Sequence, residues 1–320
     1  IMLSVGKLVV ALVGIITLLI ANSVVMVWLE RKVAGFVQRR PGPYVVGPHG
    51  IFQTICDTVK LLSKQIVIPG SSDRLLFLLG PVLCMFPMFL LFLVIPYGPW
   101  LTGLEVNLGL LMILAFAGLE GLALLAGGSA SNNKYSLLGA ARGVSQAVAY
   151  EIPLILAMLA LAFMTGSLNL TTITEGQSGW VWHWNIFKQP LAFLIFVITC
   201  FGETNRAPFD LPEGESELTG GYHTEYSGMG CALFFMAEYT SMMLVSFLAA
   251  VLFLGGSNGP FLNGIWWTFL KMGIFMTFMI WVRWTFPRVR FYQLLNINWK
   301  WLLPLGLLNL WITAIVIKVF

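Results

Sequence analysis

Acidic side chains are the groups best able to do chemistry in this chain, because so little else around them is polar. The sequence is 58% hydrophobic and only 10% charged, yet it keeps fourteen aspartates and glutamates. Six of them fall between Glu203 and Glu225, in ETNRAPFDLPEGESELTGGYHTEY. Glu120, Glu151, Glu203 and Glu238 interrupt or close stretches that are otherwise apolar. An ionised carboxylate in hydrocarbon costs roughly 2.5 kcal/mol or more even on the mildest scales. A carboxyl group drawn out of water favours its neutral form, so either protonation state comes within reach near neutral pH. Such groups suit proton handling or the holding of a polar partner. The bland alternative for any one of them is a hydrogen-bonded structural glutamate, or one paired with an arginine; four at similar depth favour the chemical reading.

The elements that must position them are membrane helices. Soluble domains carry about 25% charged residues, whereas mean hydropathy here is +0.86. Strand-like alternation is absent, and the apolar runs reach about 20 residues, the length that spans a bilayer. The expected fold is an all-α integral membrane protein: one transmembrane domain over 1–320, with eight transmembrane helices plus an interfacial amphipathic helix. The spans fall near 5–29, 75–96, 105–126, 146–166, 189–204, 230–254, 264–284 and 301–319. The first run is too long for a cleavable leader and lacks its basic start. The fifth span is short, a mark of transport paths in membrane proteins. On this frame Glu120, Glu151 and Glu203 lie towards the inner ends of their helices. Glu238 lies roughly 12 Å below the inner boundary. Glu105 stands at the outer margin.

Inner and outer follow from the basic residues. Inner-side loops at 30–74, 127–145, 205–229 and 285–300, with Arg283 just before the last, take fourteen of the eighteen, among them Arg31, Lys32, Arg39, Arg40, Lys60 and Lys64. The outer loops 97–104 and 255–263 have none. The positive-inside rule then puts both termini outside. The segment RRPGPYVVGP at 39–48 cannot be helical, but Gly50–Lys64 reads as an amphipathic helix. Ile51, Ile55, Val59 and Leu62 form its apolar stripe, and Gln53, Asp57, Lys60 and Lys64 its polar face. It is expected to lie in the interface plane or simply to cap the bundle.

In 203–228, Pro208 and Pro212 forbid a regular helix. Phe209, Leu211, Leu218, Tyr222 and Tyr226 make it too apolar for a solvated tether, which favours docking against a polar partner surface. Arg283 and Lys271 read as snorkelling side chains, and Trp266, Trp267, Trp299 and Trp301 as interface anchors. Four cysteines and three histidines are too scattered for a metal or redox motif, and no dinucleotide fingerprint is present. Nothing points to nucleic acid.

Several segments together resemble one family. They are ERKVAGFVQRRPGPYVVGPHG at 30–50, SNNKYSLLGAARGVSQAVAYE at 131–151, ETNRAPFDLPEGESEL at 203–218, EYSGM at 225–229, FFMAEYT at 234–240 and VRWTFPRVRFYQ at 282–293. Over nearly its full length the chain is similar to the membrane subunit that joins the two arms of respiratory complex I, NADH:quinone oxidoreductase (subunit 1, called H in bacteria). The resemblance implies eight transmembrane helices and no cofactor bound by this chain alone. Quinone, ubiquinone or menaquinone, is the implied substrate, and FMN and iron–sulfur clusters are expected in partner subunits. The implied partners are the 49-kDa-type and terminal-cluster subunits, which enclose the quinone chamber with it, small membrane subunits and antiporter-like subunits. Gly50–Lys64 becomes a wall of the quinone portal, with Asp57 on its polar face. Asp210, Glu213, Glu215, Glu217 and Glu225 match the loop that lines the chamber, and Arg31, Arg40, Arg283 and Arg288 match positions near its mouth. Glu151, Glu203 and Glu238 match the buried glutamate chain, with Glu120 in the less regular GLEGLALL segment.

The expected function is a quinone-chamber and proton-relay subunit of a proton-pumping enzyme in a bacterial plasma membrane, with a mitochondrial inner membrane as the alternative. The competing readings are a membrane subunit of a related ferredoxin- or hydrogenase-linked complex, and a stand-alone proton-coupled transporter.

Overall fold

Lipid offers the backbone no hydrogen-bond partners, so a chain this apolar satisfies its amides within helices. The computed structural model describes residues 5–98, 101–214, 219–260 and 263–319. The helices run α1 (Val5–Val37), α2 (Gln53–Ser63), α3 (Arg74–Val94), α4 (Gly109–Ala117), α5 (Leu119–Ala130), α6 (Lys134–Thr165), α7 (Leu170–Glu175) and α8 (Asn185–Lys188). They continue with α9 (Pro190–Glu203), α10 (Met229–Phe253), α11 (Ile265–Thr285), α12 (Phe291–Ile297) and α13 (Leu303–Val319). A π turn at Asn298–Leu302 joins the last two. Strand is confined, among the described residues, to a minimal hairpin pairing Pro96–Gly98 with Leu101–Thr102.

Seven helical stretches of the described residues are long and apolar enough to cross a membrane, counting α4–α5 and α12–α13 as one each; the eighth apolar helix, α9, is shorter. The fold is an all-α integral membrane protein, with α10 at its centre, 89% of its most apolar window buried. Around it pack α1, α3 and α11, while α6 holds α5, α9 and α13. Small residues allow the close crossings, as in other membrane bundles. A Cβ on Gly80 of α3 would meet the Gly127 backbone of α5 at 2.9 Å.

Two helices are longer than hydropathy suggests. The first continues eight residues past 29 and keeps Glu30 and Arg31 helical. The sixth begins at Lys134, so most of the 127–145 segment is helix rather than loop. Asn133 caps it, accepting from the Tyr135 amide at 3.0 Å. Gly139 lets the 221–222 backbone approach, so this polar stretch is buried by protein instead of lipid. The fourteen residues of α9 span roughly 21 Å; α8 packs against it.

The amphipathic helix is present as α2, with Ile51, Ile55, Val59 and Leu62 exposed along one stripe and Thr54 buried on another. Trp266, Trp299 and Trp301 are exposed as anchors should be, but Trp267 packs inward against Gly259. Lys271 does not snorkel: it is only 4% exposed and lies among backbone carbonyls. Arg283 does not reach simply for water either, being paired with Glu30.

Candidate functional site

Two features meet in the half of the bundle that carries the basic loops. The first is a cavity of about 1020 Å³ between α1, the 40–43 turn, α2 and α10. Its wall is mostly apolar, with a polar belt of Glu30, Arg31, Arg40, Asp57 and Tyr239. Arg31 donates to Asp57 at 2.5 Å, pinning α2 to α1. Burial pushes the Asp57 carboxyl up, but hydrogen bonds from Arg31 and Gln53, with the charges of Arg31 and Lys60, outweigh it and hold the group below its usual range. Arg40 donates to Gln38 at 2.7 Å.

Behind the belt lies a buried charge cluster. Glu30 Oε2 accepts from Arg206 at 2.7 Å and from the Tyr239 hydroxyl at 2.8 Å, while Oε1 pairs with Arg283 at 2.5 Å. The Arg206 guanidinium stacks 4.3 Å over the Tyr239 ring. Burial disfavours its charge, but Glu30, with Tyr239 and Glu238 adding to it, outweighs burial and keeps it protonated. Neither Glu30, Arg206 nor Tyr239 stands out in the sequence as a site residue. Glu30 sits just past the most apolar run, and the signal that α1 continues (Val33, Ala34, Phe36, Val37) lies among basic residues.

The second feature is a set of carboxylates without cations. Glu120, Glu151 and Glu203 converge from α5, α6 and α9 on one small cavity of about 20 Å³, room for about one water. Glycines shape it: the α4–α5 junction at Gly118 leaves space where a Cβ would lie 2.8 Å from Glu151 Oε1. Tyr150 also lines it and donates to the Gly202 carbonyl. Gln146 donates to Gly202, Asn205 and Phe209, tying the start of the acidic loop to α6. Glu120 is 5% exposed, and its Oε2 has no hydrogen-bond partner. Among the described residues, no lysine or arginine pairs with Glu120, Glu151, Glu203 or Glu238.

Glu238 stands apart from this trio. It accepts from the Tyr222 hydroxyl at 2.9 Å and lies beside the Glu213 carboxyl. Burial, with Glu238 and Glu213 nearby, pushes the Tyr222 phenol up, so it acts as a neutral donor. Cys84 of α3 is buried within electrostatic reach of both Glu120 and Glu238. His223 Nδ1 is 3.7 Å from Glu213 Oε1.

The remaining loop residues divide. Asp210 pairs with Arg288 at 2.5 Å, yet burial and the neighbouring Glu213 together outweigh that arginine and raise its carboxyl. Glu225 accepts from Asn133 at 2.6 Å, next to the start of α6. None of Asp210, Glu213, Glu225, Arg283 and Arg288 lines the large cavity; Arg283 reaches it only through Glu30. Glu215 and Glu217 lie outside the described residues. No cluster of three or more potential metal ligands occurs among the described residues.

A multi-pass helical membrane protein with a lipid-level cavity, a paired charge cluster and unpaired buried carboxylates is the class these features define. Residues 9–314 match the family described as NADH dehydrogenase, and the chain belongs to that family. The NADH-quinone oxidoreductase H subunit of Desulfotalea psychrophila is 48% identical over 310 residues, covering 93% of each chain. That of Carboxydothermus hydrogenoformans is 47% identical, covering 95% of this chain and 87% of its own. The Thermomicrobium roseum protein of the same name is 44% identical over 95% of both. With its apolar helices and these relatives, the chain is a multi-pass protein of a bacterial plasma membrane.

Proposed function

We propose that this chain is the quinone-chamber and proton-relay subunit of a proton-pumping NADH-quinone oxidoreductase, joining the membrane arm to the peripheral arm. The coarser statement, a membrane subunit of that oxidoreductase, follows from family membership and from relatives that bear that name. The observation that carries the finer one is the convergence of three uncompensated glutamates on a water-sized cavity, beside a much larger cavity with a charged belt.

The large cavity matches the upper end of the volumes that hold drug-sized ligands, ~300–1,000 Å³. Its apolar wall suits a quinone entering from the bilayer, with α2 as one jamb. FMN and iron–sulfur clusters in partner subunits supply the electrons. Reduction adds two electrons and two protons to the quinone, so charge changes near the belt. A unit charge about 4 Å from a partly buried group acts on it with about 4 kcal/mol at an effective dielectric of about 20. Glu30 and Arg206 are the groups placed to feel it, and Arg206 in turn acts on Glu238. The Glu213 carboxyl lies beside Glu238 and links the loop to it. From Glu238 the path continues past Tyr222 and Cys84 to Glu120, then across the small cavity to Glu203 and Glu151. The basic face is the cytoplasmic one in this reading, and both termini lie outside.

The test is Glu203→Gln and Glu151→Gln in the assembled enzyme. Each is expected to cut coupled quinone reduction and proton translocation by about tenfold or more, the scale on which losing one proton-transfer group acts. Wild-type rates of both processes in both variants would end the relay reading.

A further inference from the structure

The opposite end of the bundle holds one buried cation, and its surroundings suggest a purpose. Lys271 of α11 donates to the carbonyl oxygens of Leu254, Gly256 and Asn258 at 2.5, 2.9 and 2.6 Å. Three accepting carbonyls need three N–H groups, which only an ammonium has. The acceptors come from the turn after α10, curled around the ammonium by Gly255 and Gly256 at φ 76° and 50°. The Trp184 ring lies 4.2 Å from Nζ and that of Trp267 5.9 Å. No carboxylate among the described residues pairs with it.

The rest of this end is closed by side-chain amides. Gln177 donates to Val251 O at 2.9 Å and accepts from the Gly255 amide at 3.0 Å. Asn185 caps Leu252 O, and Asn258 reaches Thr174 O, both at 2.8 Å. Helix ends normally leave carbonyls for water; here Gln177 between α7 and α8, Asn185 at the α8 start and Lys271 of α11 take their place. The C-terminus of α10 carries about half a negative charge, so a full ammonium leaves the plug net positive. The same helix holds Glu238 fifteen residues earlier, roughly 22 Å away along its axis. The central helix therefore carries an acid in its basic-loop half, and a buried, positively charged stopper at its other end.

We propose that Lys271 and its carbonyl cage form an electrostatic seal that keeps protons from leaking out of the relay through the face opposite the basic loops. This rests on the reading of the chain as a proton-handling subunit. A fixed positive charge in a dry constriction repels a passing proton, as it does in cation-excluding pores.

The experiment uses the intact enzyme in liposomes with Lys271→Gln, which keeps hydrogen-bond donors but loses the charge, and Lys271→Arg, which keeps it. The decay of an imposed pH gradient is followed without NADH or quinone. Losing its repulsion of a proton that passes about 10 Å from it, at an effective dielectric of about 20, is expected to speed that decay by about tenfold in Lys271→Gln, and Lys271→Arg should restore the slow decay. Uncoupled NADH:quinone turnover should match wild type in both. Equal decay in Lys271→Gln and wild type would overturn the seal. So would failure of Lys271→Gln to assemble while Lys271→Arg assembles, since the ammonium would then serve folding. The leak is read without turnover, so it does not depend on the outcome for Glu203→Gln and Glu151→Gln.

Discussion

Glu30 and Glu120 are the same residue type, each 5% exposed, in the same half of the bundle. They differ in their company. Both oxygens of Glu30 are taken, by two arginines and a tyrosine. Glu120 has no cation, and one oxygen faces no donor at all. Burial alone thus does not say what an intramembrane acid is for. A carboxylate held between two guanidiniums is locked in its charged form and fixes the geometry of the cavity wall. A carboxyl with no cation can exist with or without its proton, and beside a water-sized space it has what the proposed relay requires.

The largest expected effect comes from breaking the paired cluster. Arg206→Met leaves Glu30 with a single arginine, and Glu30→Leu leaves Arg206 buried without a carboxylate. Removing one partner of a buried pair costs about 3–5 kcal/mol, so both variants should assemble poorly and melt well below wild type. Thermal melting of the purified complex checks this. Wild-type melting of Glu30→Leu would erase the distinction between the clusters, because Glu30 would then be as replaceable as a neutral acid.

Glu120→Gln probes the other side. A glutamine occupies nearly the volume of a protonated glutamate and breaks no ion pair, so stability should change by far less than the about 3–5 kcal/mol of a broken buried pair. Proton translocation should fall sharply in the same sample. Should Glu120→Gln destabilise the complex as much as Arg206→Met, Glu120 would be a structural brace rather than a carrier.

The sequence made one cluster easier to see than the other. Glutamates in mid-helix stand out against leucine and valine, which is why Glu120, Glu151 and Glu238 are visible without coordinates. Their convergence is not visible, because it depends on helix rotation and on a glycine, Gly118, that admits a carboxylate. Glu30 hides because hydropathy falls where α1 enters the ERK segment, although the helix runs on. Arg206 hides because a proline-rich loop gives no period from which to infer burial. Lys271 reads as a snorkelling lysine, since the cage that holds it comes from a turn thirteen to seventeen residues away. Packing information of this kind lies in tertiary contacts, which a single helix pattern does not contain.

The smallest effects separate two ion pairs of equal length, Arg31–Asp57 and Arg288–Asp210, both at 2.5 Å. Asp57 is held below its usual range despite some burial, because Arg31 and Gln53 bond its charged form. Its contribution to stability is therefore present above the unfolded value, about 3.9, and is lost only as pH falls through the lower folded one. Asp210 is raised, by burial and then by Glu213, against the pull of Arg288. Protonation favours its folded state, so the 205–214 loop should hold or gain stability as pH falls through that raised value, while α2 is still unaffected. Each change should stay below about 1 kcal/mol, as for partly exposed pairs in general. Hydrogen exchange, corrected for its intrinsic pH dependence, reads both segments at once. From pH 7 to about 5, protection of 205–214 should hold or rise and that of 53–63 should stay constant; Asp210→Asn should flatten the loop's response. Early loss of protection in α2, with the loop unchanged, would mean that Arg31 does not dominate α2 and that the two pairs are electrostatically alike.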